Sequence, residues 1–241
     1  MRQACYDREM VALSEFRPRG VVFDLDGTLT DNMAWHTEAF ATFLERHGLP
    51  RLTMEMRQRI DGKRNAEIFP ILFGRDVSAE ETRQFEEEKE GAYRELSRNR
   101  LQPIAGVLTL LARLEQKGIG VAVATSAPEK NVAHTLGAIG LADRLACVVR
   151  SDAVPRGKPH PDVFLHAARE LGVAPAACLA FEDAPVGVTA AVRAGMRCVA
   201  ITSSFPVETF TVGETPPDAA YRDFQAFLDH DGQWLHESDQ Q

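Results

Sequence analysis

Cysteine is scarce in these 241 residues, and Cys5, Cys147, Cys178 and Cys198 form no CxxC pair and no metal-ligand spacing. That pattern argues against a thiolate metal centre; Cys178 and Cys198, inside apolar runs, read as core thiols of a reducing compartment. No Lys/Arg block is present either: 27 basic against 35 acidic residues give a formal charge of -8. Nucleic acid is therefore not an expected partner. An anionic small molecule remains compatible, because a local cation and a few placed donors override the charge of the whole chain. The first eighteen residues lack a continuous apolar stretch, since Arg2, Asp7, Arg8, Glu9, Glu15 and Arg17 interrupt them. A signal peptide or membrane span is not expected there, and the reading is a soluble cytoplasmic protein with no membrane partner.

What is present is enough apolar material for a real core. A 44% hydrophobic chain of this length accommodates one substantial domain and a smaller one. The most informative stretch is VVFDLDGTLTD, residues 21–31. Val21, Val22 and Phe23 have the short β-branched and aromatic texture of a buried parallel strand. Buried strands do not end in acids without cause, because an unpaired buried carboxylate costs several kcal/mol or neutralises itself. Asp24 and Asp26 are therefore placed at the carboxyl end of the strand around a cation, with Gly27 in the turn and Asp31 as a third acid close by.

From Trp35 to Gly48 the apolar residues recur at helical spacing. Residues 51–100 continue as helical segments with no convincing alternating strand, and Ser78 with Glu81 forms a capping-box pattern. A helical insertion results. After Pro103 and Gly106, helices alternate with the apolar runs IGVAVAT, ACVVRS, ACLAFED and RCVAITSS. That alternation predicts an α/β fold, a doubly wound, Rossmann-like parallel sheet covered on both faces. Residues 205–218 read as a loop before a last short element near Tyr221–Leu228. The boundaries follow: residues 1–18 an N-terminal extension, 19–32 and 102–229 the α/β core, 33–101 the helical insertion, 230–241 a C-terminal tail.

Three further polar groups stand at strand ends. Thr125 and Ser126 close IGVAVA ahead of a helix, where a hydroxyl and free N–H groups cradle phosphate or simply cap. Lys158, set between Gly157 and Pro159, is held more narrowly than a free surface lysine and suits phosphate oxygens. Glu182 and Asp183 end the strand CLAF and repeat the anomaly of the first motif. Two acid-bearing strand tips side by side suit a hard, oxygen-preferring ion, and Mg2+ is the expected cofactor.

Taken in order, DLDGTLTD, ATSA, GKPHPD and FEDAPVGVTAAVRAGM resemble the four motifs of the haloacid dehalogenase superfamily. Gly187, Ala190, Ala191 and Gly195, with the helical insertion as a cap, look like the branch of β-phosphoglucomutases and small sugar-phosphate phosphatases. The resemblance implies Asp24 as nucleophile, Asp26 as general acid and base, Thr125 and Lys158 neutralising the transferred group, and Asp24, Asp26, Glu182 and Asp183 at the metal. It also implies a substrate set of Gly27, Ser126, Ala127, His36, Arg64, Asn65 and Lys89, a small phosphorylated metabolite as partner, and a monomer. The mutase's cap arginine aligns with Asn65, next to Lys63 and Arg64, and its Ser-Lys-Asn run aligns with Ala127, Pro128 and Glu129. Phosphatase chemistry is therefore expected ahead of a mutase, with a non-catalytic phosphometabolite binder as the third alternative.

Overall fold

The computed structural model describes residues 12–211 and 215–236. Cys5, most of the expected N-terminal extension and the end of the expected tail lie outside the described residues. The core strands are β1 (Gly20–Phe23), β2 (Gly120–Thr125), β3 (Val148–Arg150), β4 (Cys178–Glu182), β5 (Arg197–Ile201) and β6 (Ala219–Tyr221). All are parallel, in the order β3-β2-β1-β4-β5-β6. The chain steps outward from β1 to β3, then crosses back to lay β4 on the free side of β1. Doubly wound sheets bind their ligands outside the carboxyl ends of the strands at such a reversal.

The two-residue period of the strands decides how each face is covered. Val21, Phe23, Val123, Leu179, Phe181, Val199 and Ile201 point to one side. They pack under α5 (Val107–Gln116), α6 (Glu129–Ala138) and α10 (Phe224–His230). Phe23 stacks on Phe181 with ring centroids 5.3 Å apart, and Phe224 meets both edge-on. The other side is small: Val22, Ala122, Ala124, Ala180, Cys198 and Ala200. Little side-chain volume there lets α7 (Asp162–Glu170) and α8 (Pro185–Arg193) lie close on the sheet.

Between β1 and α5 the chain forms α1 (Met33–Arg46), α2 (Met54–Ile60), α3 (Asn65–Phe73) and α4 (Ala79–Leu96). This insertion has its own core, centred on Phe40, Phe43, Leu44, Ile60, Ile68 and Phe69. The capping box at α4 is present, with Glu81 N–H donating to Ser78 Oγ at 3.2 Å and Ser78 N–H to Glu81 Oε2 at 3.0 Å.

Three features differ from the sequence reading. Leu13, in a 3-10 turn at Leu13–Glu15, is buried in the main core although it precedes residue 19. Trp234 and Leu235, from the segment read as a tail, join the same core. A few apolar residues in a short segment carry no periodic signal, so only tertiary packing reveals them. The stretch 205–218 includes a short helix, α9 (Glu208–Thr211), and Phe205 and Phe210 anchor it to the small-residue face.

Candidate active site

The register of β1 brings the acids together. Phe23 lies opposite both Val123 and Phe181, and Asp24 N–H donates to Phe181 O at 2.9 Å. Asp24 therefore leaves the sheet beside Glu182 and Asp183, and suitable oxygens of the three lie within 4.8 Å of one another. Lys158 enters from the segment before α7 and is completely buried. Its ammonium donates to Asp24 Oδ1 at 2.5 Å and to Glu182 Oε1 at 2.7 Å. Glu182 Oε2 accepts from the N–H groups of Asp183 and Ala184 at 2.8 and 2.9 Å, in the turn leading to α8. Glu182, expected at the metal, stands in the acidic cluster with its oxygens bonded to the lysine and this turn.

Asp183 is held by two hydroxyls. Ser204 donates to Oδ2, and Thr28 donates to Oδ1 at 3.3 Å. Two glycines make room for these carboxylates: a Cβ on Gly27 (φ +82) would stand 2.0 Å from Asp183 Oδ2, and one on Gly187 would stand 1.7 Å from Glu182 Oε1.

Charge bookkeeping leaves this cluster short of positive charge, with three buried carboxylates around a single ammonium. Burial pushes the Asp24 carboxyl up to about 8 despite Lys158, and Glu182 adds to the rise. Burial, Glu182 and Asp24 likewise raise Asp183 well above the usual carboxylate range. Burial alone would lower Lys158, but Asp24 and Glu182 outweigh it and hold the ammonium above the ordinary lysine range. An oxygen-only donor set with excess negative charge fits a hard divalent cation.

Asp26 faces the insertion. Its Oδ1 accepts from Asn32 Nδ2 at 2.6 Å, while Asn32 Oδ1 accepts from Gly27 N–H at 3.0 Å. Asn32 Nδ2 also donates to the Tyr93 hydroxyl at 2.6 Å. His36 stacks on Tyr93 and places Nε2 3.8 Å from Asp26 Oδ1, with no hydrogen-bond partner of its own. Lys89 Nζ lies 2.9 Å from His36 Nδ1 and 3.0 Å from Glu90 Oε1. An ammonium only donates, so Nδ1 accepts and the imidazole proton is assigned to Nε2, aimed towards Asp26.

A cavity between strand ends and insertion collects most of the expected residues. Asp24, Asp26, His36, Asn65, Lys89, Thr125, Ser126, Ala127 and Asp183 all line it. Thr125 Oγ1 accepts from Ala127 N–H at 3.0 Å, and Ser126 Oγ donates to Gly62 O at 2.7 Å, which ties the insertion to the core. Lys158, Glu182 and Gly27 stand behind the lining. Arg64 is not in the lining: it donates to Glu67 Oε1 at 3.0 Å and to the carbonyls of Ser151 and Val154 at 3.3 and 3.5 Å. Asp31 is exposed.

Several lining residues escaped the sequence reading. Glu90 accepts from Lys89, Asn65 and Asn131, and Asp61 pairs with Arg57. Burial opposes ionisation of Glu90, but Lys89, His36 and Asn65 hold it down to about 2. The available signal was helical spacing, which puts Lys89, Glu90 and Tyr93 on one face of α4. A charged helix face is otherwise read as solvated.

A buried, acid-bearing strand end at the switch point of a doubly wound sheet, covered by inserted helices, is the architecture of a phosphohydrolase of the α/β class. The model of the haloacid dehalogenase-like hydrolase family matches residues 18–195, and the chain belongs to that family. Hexitol phosphatase A of Escherichia coli (strain K12) is 32% identical over 207 residues, covering 82% of this chain and 88% of its own. β-Phosphoglucomutase of Bacillus subtilis (strain 168) is 30% identical over 200 residues, covering 78% and 85%. A solved hydrolase from Pseudomonas syringae matches with a TM-score of 0.77 and 27% identity, over 89% of this chain and 98% of its own.

Proposed function

We propose that this enzyme hydrolyses the phosphate monoester of a small sugar-type metabolite through an aspartyl-phosphate on Asp24. The observation that carries the reading is the meeting of Asp24 and Asp183 from neighbouring strands, with Lys158 bonded to Asp24 and Asp26 facing the cavity. Relatives named hexitol phosphatase A and β-phosphoglucomutase support a phosphorylated sugar-type substrate.

Asp24 and Asp183, with the main-chain carbonyl of Asp26, would hold Mg2+, which when bound supplies screening of the phosphoryl charge. Asp24 attacks phosphorus, and the bond to the leaving oxygen breaks as Asp26 gives that oxygen a proton. Asp26 then takes a proton from water, which attacks the same phosphorus and frees Asp24. Lys158 orients Asp24 and opposes the burial that favours its protonated form, and Thr125 and the N–H groups after it hold the transferred oxygens. The inserted helices cover the strand ends and would limit the access of bulk water to the reacting phosphorus.

The reading is tested by incubating the protein with Mg2+ and p-nitrophenyl phosphate. Release of p-nitrophenol that stops in Asp24→Asn supports it, and folded protein without release defeats it. A phosphomutase is the second reading, favoured by the His36–Lys89 pair facing Asp26. Against it, Arg64 is spent on Glu67 and core carbonyls and the Asn65 amide on Glu86 and Glu90, which leaves no bidentate grip for a bisphosphate. β-Glucose 1-phosphate with a trace of its bisphosphate separates the two, glucose 6-phosphate marking a mutase and free phosphate a phosphatase.

A further inference from the structure

Arg64 crosses from the cap to the core. It stands at the N-terminal end of α3, where its N–H donates to Glu67 Oε2 at 3.2 Å and its Nη2 to Glu67 Oε1 at 3.0 Å. Nη1 donates to the carbonyls of Ser151 and Val154 at 3.3 and 3.5 Å. Those carbonyls belong to the segment between β3 and α7, which holds one 3-10 turn, Ser151–Ala153, and then runs to Lys158. Arg64 Nε is buried with no acceptor among the described residues, a cost that an apolar side chain would avoid.

The Arg64–Glu67 pair also reaches the residue before the lysine. A Cβ on Gly157 would stand 2.6 Å from Glu67 Oε2 and 2.8 Å from Arg64 Nε, so glycine is needed there for space. Next along the chain, Lys158 donates to Asp24 and Glu182 and lies over the Phe164 ring. A second tie runs beside the first. Ser126 gives its one hydroxyl proton to Gly62 O, so the Ser151 hydroxyl donates to Ser126 Oγ at 3.2 Å. Residues 62–64 of the cap are thus bonded to two core segments, the one that follows Thr125 and the one that leads to Lys158.

We propose that Arg64 is a positioning residue for Lys158: from the cap, it fixes the core segment that presents the ammonium to Asp24. The proposal rests on the phosphohydrolase reading and adds to it a dependence of Lys158 on the cap. Charge alone draws the ammonium to its two carboxylates, but it does not set the angle at which Asp24 meets phosphorus. That angle follows from where the backbone at Gly157 and Lys158 sits, and a misplacement of about 1 Å is enough to cost roughly a hundredfold in rate. Without the guanidinium, the carbonyls of Ser151 and Val154 lose a donor and Gly157 loses its neighbours. Lys158 is then held by its head and no longer by its base.

Arg64→Met keeps much of the volume and removes the donors, and Arg64→Gln carries the same test if the methionine variant does not fold. With Mg2+ and p-nitrophenyl phosphate, kcat should fall by roughly tenfold or more while KM changes far less, since Arg64 is outside the cavity lining. A pulse of N-hydroxysuccinimidyl acetate followed by peptide mass spectrometry reads the lysine itself. Relative to exposed Lys130, acetylation of Lys158 should quicken by roughly tenfold or more, while the buried Lys89 of the cap stays as protected as in wild type. The labelling needs no turnover, so failure of the hydrolase reading shows separately, as no p-nitrophenol release from wild-type protein. Wild-type protection of Lys158 in the folded variant, equal loss of protection at Lys89, or a kinetic loss confined to KM overturns the proposal.

Discussion

Lys158 and Asp24 lie 134 positions apart in sequence, yet the lysine ammonium donates to the aspartate oxygen at 2.5 Å with both side chains buried. Neither is stable in that place alone, because a buried charge without its partner keeps the full cost of leaving water. Lys158→Met retains much of the volume and removes the charge. It should lower the unfolding free energy by about 3–5 kcal/mol and abolish turnover. Urea unfolding checks the first effect, and a loss below about 1 kcal/mol would show that Asp24 and Glu182 relax without the lysine.

Metal and proton compete for the same carboxylates. In metal-free protein Asp24 is raised from 3.8 to about 8, so the folded state keeps a proton that the unfolded chain has already released. Its contribution is fully present below about pH 4 and is lost as pH rises towards 8. Metal-free melting temperature should fall across that window, and the stabilisation given by Mg2+ should be larger at pH 8 than at pH 5. Differential scanning fluorimetry with Mg2+ or EDTA reads both; a Mg2+ shift that shrinks as pH rises would contradict the assignment of Asp24 to the ion.

Ser204 donates to Asp183 Oδ2 from the loop after β5. Losing this hydroxyl frees the carboxylate to rotate, so Ser204→Ala should weaken Mg2+ binding by roughly tenfold or more while leaving the melting temperature of metal-free protein nearly unchanged. Ser204→Thr should restore affinity. Calorimetric titration with MgCl2 is the measurement, and wild-type affinity in the alanine variant would remove Ser204 from this role.

Asn32 joins Asp26, the Gly27 N–H and the Tyr93 hydroxyl. Asn32→Ala leaves Asp26 without its donor, so kcat should fall by roughly tenfold or more with a much smaller change in KM. Steady-state kinetics on p-nitrophenyl phosphate decides; an effect on KM alone would place Asn32 in binding.

The gathering of acids at the strand tips was legible in the sequence because acids closing apolar runs are anomalous, and Asp24, Asp26 and Asp183 each announce themselves this way. Lys158 was legible from its glycine and proline neighbours. The different hydrogen-bond partners of Glu182 and Asp183 were not, since the two acids are adjacent in sequence and only the reach of Lys158 and the turn amides separates them. Arg64 stands outside the cavity lining for a related reason. Its sequence neighbourhood puts it at the cavity, while Glu67 and the carbonyls of Ser151 and Val154 draw it to the core surface. Glu90 and Tyr93 were hidden by a helix whose charge suggests solvent on every side, although one face is buried against α1 and the core.

The bond between Thr28 and Asp183 spans 155 positions, and the whole cap and half the sheet are made between them. On the ribosome, Asp24 emerges early and waits through most of translation for the strand that completes its surroundings. Fragments that end before β4 carry Asp24 with neither Lys158 held in place nor Asp183 beside it, so premature termination yields inert polypeptide and never a half-active phosphate-cleaving product.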